Sequence, residues 1–287
     1  MKSMSRGFIT LGINTETDQI QYNYALACSI KKCDPNSEIC LIVDQGKLDD
    51  VPDVYHDVFD YITELRFGNT AYKDGFHGMN LWQMYHCSPF DETVYIDNDT
   101  LFLNVDIDLF WQQFKNKSIA MPIIARTFRN GIAQKTSKFE FESHYKLSQH
   151  YSHLIYFDKS TDEAIEWFKM ADPVFQNWRD MYAKIFNEKR PETFNKNVLT
   201  NIVTYLLNQE DNIGIWMDHF YDLDNRSQGL WHSDIPKNWT EMLNSWYTDD
   251  GDIIIENHKL SSGIIHYGDE QFITKEIIDD LKLSVTK

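Results

Sequence analysis

Cationic side chains are scarce in this chain. Its 287 residues carry 27 Lys and Arg against 44 Asp and Glu, a formal net charge of −17. Such an acidic protein has no general pull on nucleic acid or on an anionic membrane surface. Any anion it binds must be held locally, by a metal ion, a backbone nest or a few well-placed cations. Long apolar runs are missing as well. Residues 8–13 are too few for the apolar stretch of a signal peptide, and no segment approaches the about 18 uncharged apolar residues that a membrane span requires. Cysteine is limited to Cys28, Cys33, Cys40 and Cys87, with no C-x-x-C pair. That spacing matches no common zinc pattern and reads as reduced thiols in a cytoplasmic chain. Internal repeats, low-complexity tracts and linkers are also absent, so a single domain over 1–287 is the simplest organisation.

What is present suffices for a core: 42% of residues are hydrophobic and 14% aromatic. Strand signals over 8–12, 39–43, 58–65 and 93–96 alternate with helix signals over 20–32 and 80–86. The run Ile39 to Val43 is continuously apolar, as strands buried on both faces are. This alternation predicts βαβ units and an α/β fold around a mostly parallel sheet. The second half is less regular. Helices are expected over 105–114, 161–170, 173–186, 197–207 and 274–283, strands over 119–125, 153–157 and 262–266, and a polar surface loop over 126–150. Four tryptophans, Trp216, Trp231, Trp239 and Trp246, either pack in the core or its rim or offer rings for stacking on a sugar.

Chemistry concentrates where an apolar strand ends in Asp97-Asn98-Asp99. Side chains two apart in an extended chain point the same way, so both carboxylates could enter the crevice beyond the strand's carboxyl end. Two like charges held close call for a cation between them, and Mg²⁺ or Mn²⁺ suits oxygen ligands. Such an ion could bridge to a diphosphate, which would reconcile an acidic protein with an anionic nucleotide. Two other readings stand beside this one. Asp-Asn-Asp also makes a plain turn through bonds to its own backbone. Haloacid-dehalogenase-type phosphatases likewise place Asp-x-Asp after an apolar strand, but with Thr two residues after the second Asp and with the strand opening the chain. Here Thr100 follows Asp99 directly and Asp97 lies a third of the way in.

The chain resembles the glycogenin-like retaining glycosyltransferases, family 8 of the GT-A fold. The resemblance is carried by Thr10-Leu11-Gly12-Ile13-Asn14, by Asn80-Leu81-Trp82-Gln83-Met84-Tyr85, by Val94 through Leu101 with Asp106-Ile107-Asp108-Leu109-Phe110, and by Ile264-Ile265-His266-Tyr267-Gly268. It implies a Rossmann-like central sheet flanked by helices, with a nucleotide-binding half over 1–115 and a sugar and acceptor half over 116–287. Asp97, Asp99 and His266 would then ligate the metal; without the resemblance, His266 is an ordinary strand histidine. Leu11, Asn14, Tyr22, Lys73 and Asn98 would meet the donor, although Leu11 equally suits plain core and Tyr22 a helix-face aromatic. Ser152, His153, Asn195 and Asn197 are the candidates for sugar contacts. The implied reaction moves a hexose from UDP-glucose or UDP-galactose, with Mn²⁺ or Mg²⁺, to a hydroxyl of a saccharide, lipid or protein, with retention. No catalytic base can be picked out.

The chain also departs from the family pattern. Gly78 stands where the family has Lys or Arg, and Lys73 is the nearest substitute. The family's Asn and Gly are absent from Tyr151-Ser152-His153-Leu154. Acidic groups are absent from Asn195-Lys196-Asn197. The diphosphate-binding Lys beyond His266 is missing, with Lys275 nearby but off-pattern. A non-catalytic nucleotide-sugar-binding protein is therefore a third reading beside the transferase and the phosphohydrolase.

Overall fold

The computed structural model describes residues 5–13, 18–71, 77–133, 147–186, 194–223, 238–248 and 250–285. Thirteen strands are found among them. They are β1 (Arg6–Gly12), β2 (Ile39–Val43), β3 (Tyr61–Glu64), β4 (Glu92–Ile96), β5 (Thr100–Leu103), β6 (Ile119–Pro122), β7 (Leu154–Asp158), β8 (Gly214–Ile215), β9 (Phe220–Asp222), β10 (Ser245–Tyr247), β11 (Ile253–Ile255), β12 (His258–Leu260) and β13 (Gly263–His266). The helices are α1 (Ile20–Cys33), α2 (Met84–Cys87), α3 (Ile107–Gln112), α4 (Asp162–Gln176), α5 (Trp178–Phe186), α6 (Lys196–Leu206), α7 (Glu210–Ile213), α8 (Trp239–Met242) and α9 (Lys275–Val285).

Seven strands form the central sheet in the order β3-β2-β1-β4-β7-β6-β8. The first four are parallel to one another, while β7 runs antiparallel to both β4 and β6. Alternate side chains of each strand enter different cores. Phe8, Leu41, Val94 and Tyr156 pack on the α1 and α9 side. Ile9, Ile42, Tyr95 and Phe157 pack against α4, α6 and the 3₁₀ turn His77–Gln83. Both faces are therefore covered, which is why β2 is apolar at every position.

The sheet and most helices fall where the sequence places them. The exceptions have local causes. The helix expected over 80–86 is largely the 3₁₀ turn, with α2 only four residues long. The break expected before Pro173 does not occur. Within α4, Ala164, Trp167, Phe168, Ala171, Val174 and Phe175 are buried at helical spacing, and the exposed Pro173 sits on the opposite side, so packing carries the helix through it to Asn177. The region 126–150 is described only in part: Arg126 bridges to Ile132 and Tyr221, and 134–146 lie outside the described residues. No helix among the described residues is long and apolar enough to cross a membrane.

Strands β5, β13 and β9 make a small second sheet that the sequence did not announce. Here β13 is antiparallel to β5 and parallel to β9, and the register sets His266 opposite Thr100 on one side and Asp222 on the other. The approach is close at Gly263. Its φ is +129°, and a Cβ there would lie 2.5 Å from the His219 carbonyl oxygen. Gly263→Ala is therefore expected to cost about 1–3 kcal/mol, measurable by chemical denaturation, and to shift β13 and the histidine at its end.

Candidate functional site

The site forms where β1 and β4 end, against the end of β13. Asp97 follows β4 directly, and its N–H donates to the His153 carbonyl at 3.0 Å, continuing the β4–β7 ladder. Asn98 and Asp99 bend the chain into β5. That bend is held by Tyr267, whose N–H donates to the Asp99 carbonyl at 2.9 Å and whose hydroxyl donates to the Asn98 carbonyl at 3.3 Å. Tyr267 is held in turn by Trp239, whose indole N–H donates to its carbonyl at 2.7 Å.

Both carboxylates are bonded by side chains, most of them distant in sequence, and not by the backbone of their own turn. Asp97 accepts from the Tyr95 hydroxyl at 2.6 Å and from His153 Nδ1 at 2.7 Å, and the Lys196 ammonium lies against both of its oxygens. Asp99 Oδ2 faces His266 Nε2 at 3.1 Å. The other Asp99 oxygen, Oδ1, is buried and has no hydrogen-bond partner. The rings of His153 and His266 stack at 3.7 Å. Asp97, His153 and His266 can each present a ligand atom within 4.8 Å of the others.

Behind His266 sits Asp222. It is fully buried, and its Oδ1 lies 3.1 Å from His266 Nδ1. A ring whose two nitrogens each face a carboxylate carries a proton on both. Burial alone would lower the pKa of His266; the charge of Asp99 and the bonds to Asp222 and Asp99 outweigh it and hold the value up at about 10. Burial would likewise raise Asp97, but the Lys196 charge and the His153 bond keep it well below the usual carboxylate range. Burial of Tyr95, next to Asp97, pushes its hydroxyl far up, so it remains a donor.

The donor set fits a divalent cation. Asp97 and two imidazoles can each present an atom within 4.8 Å of the others, and the neighbouring Asp99 has one buried, unsatisfied oxygen. Asp222 against Nδ1 orients the His266 ring so that Nε2, once it gives up its proton to a cation, faces the site. Beside this cluster a cavity of about 240 Å³ opens, lined by Leu11, Ile13, Asn98, Asp99, Lys196 and Glu270 among others.

Of the residues expected from sequence, the structure brings together Asp97, Asp99, His266, Asn98 and Leu11. His153, expected to touch sugar, bonds Asp97 through Nδ1 and belongs to the group with Asp97 and His266 that could hold a metal ion. Ser152 donates from its N–H and its hydroxyl to Asn197 Oδ1, at 2.8 and 2.7 Å, and Asn195 caps α6 by accepting from the Val198 N–H. Tyr22 is buried in the α1 core and does not line the cavity. Asn14, Lys73 and Trp231 lie outside the described residues. Trp239 is core, while Trp216 and Trp246 are exposed. Sequence reasoning missed Asp222 and Lys196. Asp222 has no motif around it. Lys196 stands in the segment noted only for its lost acids.

No family model matches the chain, and no curated protein matches it. Among solved structures, it is similar to the galactosyltransferase LgtC, solved with donor and acceptor sugar analogues. That match has a TM-score of 0.53 and 12% identity, and covers 98% of this chain and 96% of that one. The bifunctional glycosyltransferase WbbM matches with a TM-score of 0.50 and 11% identity, over 99% of this chain and 50% of that one. The fold is that of the GT-A glycosyltransferases. In that fold the observed cluster occupies the crevice at the carboxyl ends of the parallel strands, where open α/β sheets bind ligands.

Two outcomes follow for His266. Its folded pKa lies above its ordinary value of 6.5, so its contribution to stability is complete below pH 6.5 and is lost as pH rises towards 10. In the metal-free protein, NMR titration of the imidazole is expected to give a midpoint near 10. Asp222→Asn is expected to bring that midpoint down and to weaken Mn²⁺ binding by about 10- to 100-fold in calorimetry, with a smaller effect on unfolding.

Proposed function

We propose that this protein is a metal-dependent glycosyltransferase of the glycogenin-like family that moves a hexose from a uridine diphosphate sugar, UDP-glucose or UDP-galactose, to a hydroxyl acceptor. The carrying observation is that Asp97, His153 and His266 can each present a ligand atom within 4.8 Å of the others, beside Asp99, whose Oδ1 is buried without a hydrogen-bond partner, at a cavity in a GT-A fold. The choice of uridine and hexose draws on the family resemblance of 10–14 and 94–101, and LgtC, a galactosyltransferase, is in keeping with it. Residues 1–115 would serve the nucleotide and 116–287 the sugar and acceptor, with the metal set drawn from both halves.

Asp97, Asp99 and His266 would hold Mn²⁺ or Mg²⁺, with His153 against Asp97. The ion's contribution is Lewis-acid stabilisation of the departing diphosphate. The chain's own residues do the rest. Asp222 holds the His266 ring in place and keeps the proton on Nδ1. Tyr95 and His153 fix the Asp97 carboxylate by hydrogen bonds. Leu11 and Ile13 offer an apolar wall to the nucleotide. In the transfer, the bond from the anomeric carbon to the diphosphate oxygen breaks and the acceptor oxygen bonds to that carbon. The acceptor's proton passes to the leaving diphosphate. Such a front-face route gives retention without a strong protein base. It accommodates a segment, Asn195 to Asn197, that carries no carboxylate.

UDP with Mn²⁺ is expected to raise the melting temperature by about 5 °C or more at saturating concentration, and Asp99→Asn to abolish the shift. A screen of nucleotide sugars with Mn²⁺ should show slow hydrolysis of one UDP-hexose. Phosphate release from generic phosphoesters without a nucleotide sugar would favour the phosphohydrolase. Donor binding with neither transfer nor hydrolysis would leave a binding protein.

A further inference from the structure

Lys196 opens α6, and nothing in the reading above needs it. A cation in the first turn opposes the helix dipole, and no acidic residue in that turn offsets it. The helix bears this charge because the ammonium reaches both oxygens of Asp97 across the site. Its stem is guided there. A Cβ at Gly78 would sit 3.5 Å from Lys196 Cδ, so the bare glycine is the wall along which the side chain passes, and the ammonium lies 5.5 Å from the centre of the Tyr95 ring. The Lys196 side chain is 13% exposed. It is the one cation lining the cavity among the described residues.

With Tyr95 on one oxygen, His153 on the other and Lys196 across both, Asp97 is fully occupied, whereas Asp99 keeps one oxygen free. A divalent ion at this carboxylate must therefore displace Lys196. The displaced ammonium has the cavity to enter, where the other charged side chains among the described residues are Asp97, Asp99 and Glu270.

We propose that Lys196 is an exchangeable counter-ion: it neutralises Asp97 when no divalent ion is bound and is handed to the diphosphate of the nucleotide when one is. This rests on the donor-site reading above and adds a coupling to it. Metal alone leaves the ammonium without its partner, and nucleotide alone finds the ammonium engaged. Each ligand removes the obstacle to the other, and the coupling is reciprocal. Among the described residues one lysine thus serves two anions in turn. Lys196 acts as a positioning residue that joins the two binding events.

The test is a binding cycle on the full chain, with free Mn²⁺ followed by electron paramagnetic resonance in the absence and presence of saturating UDP. In the wild type, UDP is expected to tighten Mn²⁺ binding by about tenfold or more. Lys196→Met removes the charge and keeps the stem. It is expected to bind Mn²⁺ alone several-fold more tightly than the wild type and to reduce the effect of UDP to about twofold or less. Lys196→Arg keeps the charge, is expected to retain most of the coupling, and controls for loss of packing. Tighter metal binding in Lys196→Met with the coupling lost supports the exchange. Weaker metal binding without UDP, or unchanged coupling, overturns it while leaving the donor site standing. If none of the three proteins binds Mn²⁺, the donor-site reading and the exchange both fall.

Discussion

One strand register governs this molecule. Pairing β13 with β5 on one side and β9 on the other sets His266 between Thr100 and Asp222. Thr100 is the residue after Asp99, so this register also brings the imidazole to the acidic pair. A slip of one residue would turn His266 to the opposite face and take the imidazole away from both Asp99 and the buried Asp222. The close contact at Gly263 and the hold of Tyr267 on the bend both guard that register.

The electrostatics of the site follow from this arrangement. Three carboxylates, those of Asp97, Asp99 and Asp222, are drawn together in a low-dielectric place, against two cations, Lys196 and protonated His266. The remaining negative charge, and the unsatisfied oxygen of Asp99, define a site whose preferred guest is a cation. The chain's strong net negative charge is thus no obstacle to an anionic ligand at this site, provided a cation held by these few groups meets it.

Much of this was legible in the sequence, for identifiable reasons. The strands at 39–43 and 93–96 and the helix at 20–32 are written in local apolar runs and periodicity, and the structure places them within a few residues. Asp97, Asp99 and His266 could be picked out because a motif spans each of them. What was not legible depends on long-range pairing. β5 is a four-residue run after a bend, and only β13 gives it a partner. Asp222 sits at the end of a three-residue strand with nothing beside it in sequence to mark it. Lys196 carries no signal of its own in the sequence, because its partner Asp97 is 99 residues away. Pro173 reads locally as a break, and only the burial of its neighbours, a tertiary fact, carries the helix past it.

The order of the chain adds a temporal consequence to the register. The two aspartates stand in its first 100 residues, whereas the Tyr267 hydroxyl that steadies their bend is 169 positions beyond the Asn98 carbonyl it bonds. During synthesis the acidic pair emerges from the ribosome long before its histidine. Until β13 pairs with β5, Asp99 has no imidazole beside it. The acidic pair and its histidine are therefore joined only by a strand that the ribosome delivers late.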